Sequence, residues 1–135
     1  MRFMMVVKSD EQAEAGELPD KALIAAMEKY NEELKEAGAL LALDGLHPSS
    51  KGARVTFSGA KRTVTHGPFP GAKELVAGYW LIRVKSKEEA IEWAKRIPLE
   101  RGVVELRQVQ EVSDWPAELR EATSEEPLMR EHRRQ

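Results

Sequence analysis

The sequence predicts one α+β domain whose elements run strand, helix, strand, hairpin, strand, helix, strand. Three observations carry that expectation. Two amphipathic stripes with helical spacing are each flanked by short apolar runs of strand character. Two alternating runs around Gly59-Ala60 read as a hairpin between the second and third of those strands. A chain of 135 residues also supplies enough core for one domain and little more. Without the hairpin the order is βαββαβ, the ferredoxin-like arrangement.

Each element has its own reason. Residues 2–8 read as a strand with Phe3, Met5 and Val7 on one face and Met4 and Val6 on the other, so both faces are apolar. Residues 9–18 are acidic and small, a loop ending at Pro19, a favoured first helical residue. Leu23, Met27, Tyr30, Leu34 and Ala37 then form one helical stripe, and Gly38 stops it. Residues 39–46 read as a second strand, with Leu41 and Leu43 opposed to Leu40, Ala42 and Asp44. The hairpin follows over residues 54–58 and 61–65. Residues 78–84, with Tyr79-Trp80-Leu81-Ile82, form the most strand-like run in the chain. Ser86-Lys87-Glu88-Glu89 fits a capping box for a second helix that runs to about Ile97, with Ala90, Ile91, Ala94 and Ile97 buried and Pro98 ending it. Residues 103–112 complete the sheet, and residues 113–135 are read as a short helix around Trp115 and Leu119 followed by a charged tail.

Composition excludes several function classes. The formal net charge of -2 gives no bulk attraction to nucleic acid or an anionic membrane. The tail cations Arg130, His132, Arg133 and Arg134 are offset by Glu125, Glu126 and Glu131, so no nucleic-acid partner is expected. No apolar run is long enough to span a bilayer, and the apolar start is too short for a signal-peptide core. With no cysteine, disulfides, thiolate catalysis and thiolate-bound zinc are excluded. The expected location is cytoplasmic.

Two helices can cover only one face of a four-stranded sheet. The two-sided first strand requires a cover on the other, and a symmetric dimer with sheets packed face to face supplies it. A homodimer is therefore the expected assembly.

Between the hairpin and the third strand, Gly67, Pro68, Pro70 and Gly71 build a shaped turn around His66 and Phe69. The stretch Thr63-Val64-Thr65-His66-Gly67-Pro68-Phe69-Pro70-Gly71-Ala72-Lys73-Glu74-Leu75, with Gly78-Tyr79-Trp80-Leu81 after it, resembles the YCII-related family of DGPF (DGPFAETKE) proteins. Asp44-Gly45-Leu46-His47-Pro48 matches a second family segment, and residues 85–94 resemble its second helix. The resemblance spans residues 1–112 and implies a dimeric α/β barrel, with an active-site cleft of acidic and histidine residues in the more distant YCII branch and no settled activity. The chain departs from the signature at two places. His66 stands where the family usually has Asp, and Pro70-Gly71 where it has Ala-Glu.

Asp44, His47 and His66 are the candidate catalytic residues, a carboxylate orienting or exchanging a proton with an imidazole that titrates near neutral pH. Arg62, Phe69, Lys73 and Trp80 are the candidate ligand-binding residues, cations for an anion and rings for an apolar wall. The spacing of Asp44, His47 and His66 does not demand a metal, and no cofactor is expected. No Ser lies in a nucleophile elbow, and no Gly-rich segment has the setting of a dinucleotide loop. Two readings stand: an acid/base enzyme of small-molecule metabolism, or a non-catalytic dimeric module that binds a ligand or regulates.

Overall fold

The computed structural model describes residues 1–123. In chain order the elements are β1 (Arg2–Lys8), α1 (Glu11–Glu14), α2 (Lys21–Glu36), β2 (Leu40–Gly45), β3 (Ala53–Ser58), β4 (Lys61–His66), β5 (Val76–Arg83), α3 (Lys87–Lys95), β6 (Val104–Gln108) and α4 (Ala117–Thr123), with 3-10 turns at Ser49–Lys51, Ala72–Glu74 and Val112–Asp114. The charged tail read from the sequence over 124–135 lies outside the described residues.

Four strands form an antiparallel sheet in the order β2-β5-β1-β6, while β3 and β4 pair with each other in a separate two-stranded sheet. This mixed architecture is consistent with a ferredoxin-like α+β fold. β1 is central because it is apolar on both faces, and it pairs with β5 through Phe3↔Ile82 and Met5↔Trp80 and with β6 through Met5↔Leu106.

Alternation along these strands sends Phe3, Met5, Trp80 and Ile82 to the helix side, where they are buried. α2 meets them with Tyr30 and Leu34, and α3 with Ala90 and Trp93. The Tyr30 ring sits edge-on to Trp80 at 5.5 Å and to Trp93 at 6.2 Å. Its hydroxyl donates to the Trp93 carbonyl at 2.7 Å, so the buried phenol is satisfied. Burial pushes the Tyr30 phenol well above its ordinary value, and it stays neutral in the fold.

Local rules set the helix ends. Asp20 accepts the Leu23 N–H at 2.8 Å, so α2 begins one residue beyond that cap rather than at Pro19. Gly38, with φ +71°, ends it in the left-handed region. Ser86 caps α3 by accepting the Glu89 N–H, and Glu89 reaches back to the Lys85 N–H, one residue beyond a standard box.

Four readings of the sequence need correction. Residues 9–18 contain the helical turn α1, capped by Asp10 accepting the Ala13 N–H. A bulge between Leu40 and Ala42 breaks the alternation of β2, so Leu40 opposes Ile82 and packs against the core instead of sharing a face with Asp44. The buried stripe of α3 runs through Trp93, while Ile91 and Ala94 are half-buried, because the ring reaches Tyr30. Finally, β6 stops at Gln108, and Val112 is buried from a 3-10 turn rather than from the strand.

The N-terminal end of β1 is clamped to the segment after β6. Arg2, only 8% exposed, donates from Nε and Nη2 to the two carboxylate oxygens of Glu111 at 2.7 and 3.1 Å.

Candidate functional site

The face of the sheet away from the helices carries two rows set by register. Ala42, Leu81, Met4 and Arg107 lie across one, and Asp44, Tyr79, Val6 and Glu105 across the next. Met4, Val6, Tyr79 and Leu81 in the middle are half-buried, and charged residues stand towards the edges. The helices α2 and α3 pack on the opposite face, through Tyr30, Leu34, Ala90 and Trp93.

Asp44 stands near the end of β2, exposed, and accepts a hydrogen bond from the Tyr79 hydroxyl at 3.2 Å. That bond, together with the negative charge of the carboxylate, holds the Tyr79 phenol above its ordinary value of 10.0. Tyr79 is therefore a neutral donor, and Asp44 an acceptor with lone pairs to spare. Strand alternation makes the pair: Trp80 points to the helices, so its neighbour Tyr79 points to the open face where Asp44 already lies. Close approach is required here, since a Cβ at Gly78 would lie 2.9 Å from the Asp44 carbonyl oxygen.

The signature loop is held by a network not read from the sequence. Glu14, from α1, accepts from the Ser49 N–H at 3.0 Å and from the Ser49 hydroxyl at 2.6 Å. The same hydroxyl accepts the Phe69 N–H at 2.9 Å. Gly67 donates to the Gly52 carbonyl at 2.9 Å, and its peptide bond to Pro68 is cis. A methyl group at Gly67 would overlap the Ser49 backbone carbonyl, so only glycine fits. The Arg54 guanidinium lies 3.9 Å from the Phe69 ring centroid.

The candidate residues divide by environment. Asp44 is joined to Tyr79; among the described residues no hydrogen bond joins it to His47 or His66. His47 is exposed in the loop after β2, and His66 is exposed at the base of the β3–β4 hairpin, opposite Ala53. Arg62 lies towards the hairpin tip, four residues from His66 or about 13 Å along an extended strand. It donates to the Gly59 and Lys61 carbonyls at 2.6 and 3.1 Å and covers the Phe57 ring. Phe69 is half-buried beneath Arg54. Trp80 is in the core, 7% exposed, with its indole N–H donated to Asn31 at 2.8 Å.

Lys73 lines a cleft of about 730 Å³ together with Lys8, Asp10, Arg101 and Val103. This is a volume suited to a small molecule. It opens at the same end of the sheet as Asp44, beyond Val7, Gly78 and Gly45, which lie in one row. Among the described residues, no three His, Asp or Glu side chains gather as a metal site. Nor is any described helix long and apolar enough to cross a membrane.

Glu14 and Ser49 are residues that sequence reasoning did not assign to the site; it read Arg54 as a cation for an anion and Tyr79 as part of an apolar wall, not as a donor to Asp44. Tyr79 had a usable signal in the parity of β5. Glu14 and Ser49 had none, because their contact joins segments thirty-five residues apart.

Comparison with the curated proteins gives no match. The model of the YCII-related domain matches residues 1–113, the stretch that holds the whole sheet, the Asp44–Tyr79 pair and the Gly67-Pro68-Phe69 loop, and the chain belongs to that family.

Proposed function

We propose that this YCII-related protein acts as a homodimer with a small-molecule cleft beside the His66–Phe69 loop, and that Asp44 supplies acid/base chemistry there. The observation that carries the reading is the Asp44–Tyr79 pair, a carboxylate and a neutral phenol joined at 3.2 Å on a sheet face whose middle is apolar. Such a pair can accept a proton at Asp44, which frees the Tyr79 hydroxyl to turn and donate its one hydrogen bond to developing negative charge. His66 or His47 serves as the second proton carrier, Phe69 and Lys73 border the ligand, and Arg62 meets an anionic group from the hairpin. Trp80 supports the site from below through its place in the core. The half-buried Met4, Val6, Tyr79 and Leu81, which a second sheet would cover, support dimerisation.

A second reading, a ligand-binding or regulatory module without turnover, is favoured by one observation. The two histidines are exposed and share no hydrogen bond with Asp44. The experiment that separates the readings is a thermal-shift screen of metabolites, followed by His66→Ala and Asp44→Asn on any ligand found. Loss of turnover with ligand-induced stabilisation intact supports catalysis; equal loss of both supports binding alone. Sedimentation at micromolar concentration should give twice 15.2 kDa, and a monomer mass would refute the dimer.

A further inference from the structure

The cleft beside the signature loop brings together cations from three separate parts of the chain: Lys8 from the end of β1, Lys73 from the 3-10 turn after the loop, and Arg101 from the segment before β6. We propose that this cleft binds a small dianionic molecule, a phosphate monoester or a dicarboxylate, through these three side chains. The proposal rests on the cleft being the ligand site of the reading above, but on neither the acid/base role of Asp44 nor the dimer.

The electrostatics favour an anion. None of the three cations takes part in an ion pair among the described residues, whereas Arg2, Lys95, Arg96 and Arg107 are each matched with a carboxylate. Lys8 Nζ reaches only the Glu74 carbonyl, at 3.5 Å. Arg101 gives one donor to the neutral Gln12 side chain at 2.6 Å and keeps the rest of its fork. Lys73 makes no side-chain hydrogen bond among the described residues. Two acids also line the cleft, Asp10 and Glu11, but Asp10 is turned to the Ala13 N–H that it caps. With Lys8, Lys73 and Arg101 set against Asp10 and Glu11, the cleft lining is formally positive in a chain whose net charge is -2.

The walls are fixed before any ligand arrives. The Lys8 N–H donates to the Val103 carbonyl at 3.0 Å and the Ser9 N–H to the Leu75 carbonyl at 2.9 Å, tying β1 to both flanking segments. A bulge after Val7 shifts the register so that Lys8 opposes Val76, re-aiming its side chain at the strand end. Val103, largely exposed, offers an apolar surface beside the cations, which suits an anion with a carbon skeleton.

The test uses the full chain with glycerol 3-phosphate, succinate and neutral succinamide, read by isothermal titration and thermal shift. At least one of the two dianions should bind, weaken as salt rises from about 0.05 to about 0.5 M, and outcompete succinamide. Lys73→Gln combined with Arg101→Gln should weaken binding at least tenfold without changing the unliganded Tm, and Lys73→Arg with Arg101→Lys should retain it. Binding by neither dianion, equal binding of succinamide, or equal binding by the double glutamine variant would overturn the proposal. Asp44→Asn separates the two claims: it should leave dianion binding intact, so a failed acid/base role and a failed anion site give different results.

Discussion

Replacing Ser49 by alanine probes the network that holds the signature loop, and the structure sets the size of the effect. The hydroxyl donates to the Glu14 carboxylate at 2.6 Å, a charge-assisted bond of the class that contributes about 1.5–3 kcal/mol. It also accepts the Phe69 N–H at 2.9 Å, and losing that acceptor leaves a half-buried donor unsatisfied at about 1 kcal/mol. Glu14 keeps its bond to the Ser49 N–H, and the residues are only partly buried, so the sum is discounted to about 2 kcal/mol. Urea denaturation at fixed protein concentration should show that loss, with Tm falling by about 8 °C for a domain of this size. Glu14→Gln measured alone and with Ser49→Ala completes a cycle whose coupling should be about 1 kcal/mol, and the Phe69 amide should exchange faster with deuterium in each variant. A cost below about 0.5 kcal/mol together with zero coupling would refute the idea that this network fixes the loop.

Gly67→Ala should be costlier, about 3 kcal/mol, because the new methyl meets the backbone carbonyl of Ser49 and no rotamer change relieves it; a Tm within 2 °C of the parent, roughly the scale of half a kcal/mol, would argue against that overlap. Asp44→Asn should bring the Tyr79 phenol down towards 10.0, followed by ultraviolet absorbance of the phenolate. The sign is that of a raised pKa: the stabilisation from Tyr79 is fully present below pH 10.0 and lost as the pH rises through the folded value, and Asp44→Asn should lack that alkaline loss. Glu111→Gln removes the bidentate partner of a guanidinium that is 8% exposed and should cost about 2 kcal/mol in urea denaturation, with an unchanged midpoint speaking against a structural clamp.

Local pattern made the scaffold legible. The run of residues 2–8 announced a strand with two apolar faces, and the Tyr30 and Leu34 spacing announced a helix to cover one of them. Patterns fail where a single residue shifts register, as at the bulge between Leu40 and Ala42, or where four residues suffice for a helical turn, as at α1. The candidate site was legible in part. Asp44 was singled out near a strand end, but the bulge in β2 hid its face, whereas Tyr79 follows by the parity of β5 once Trp80 is assigned inward. Contacts such as Glu14–Ser49 and the convergence of Lys8, Lys73 and Arg101 depend on how loops meet in space, and no local period encodes that.

The central position of β1 also bears on how the chain reaches its fold during synthesis. Its neighbours on both sides come from much later in the sequence, Phe3 pairing with Ile82 on one side and with Gln108 on the other. Until those segments leave the ribosome, β1 has two unpaired edges and two apolar faces, and α2 can shield only one face. Such distant pairing slows folding and prolongs exposure of a sticky edge. The nascent chain is therefore most vulnerable to association with its neighbours between the emergence of α2 and that of β5, and chaperone demand should fall sharply once β6 has been made.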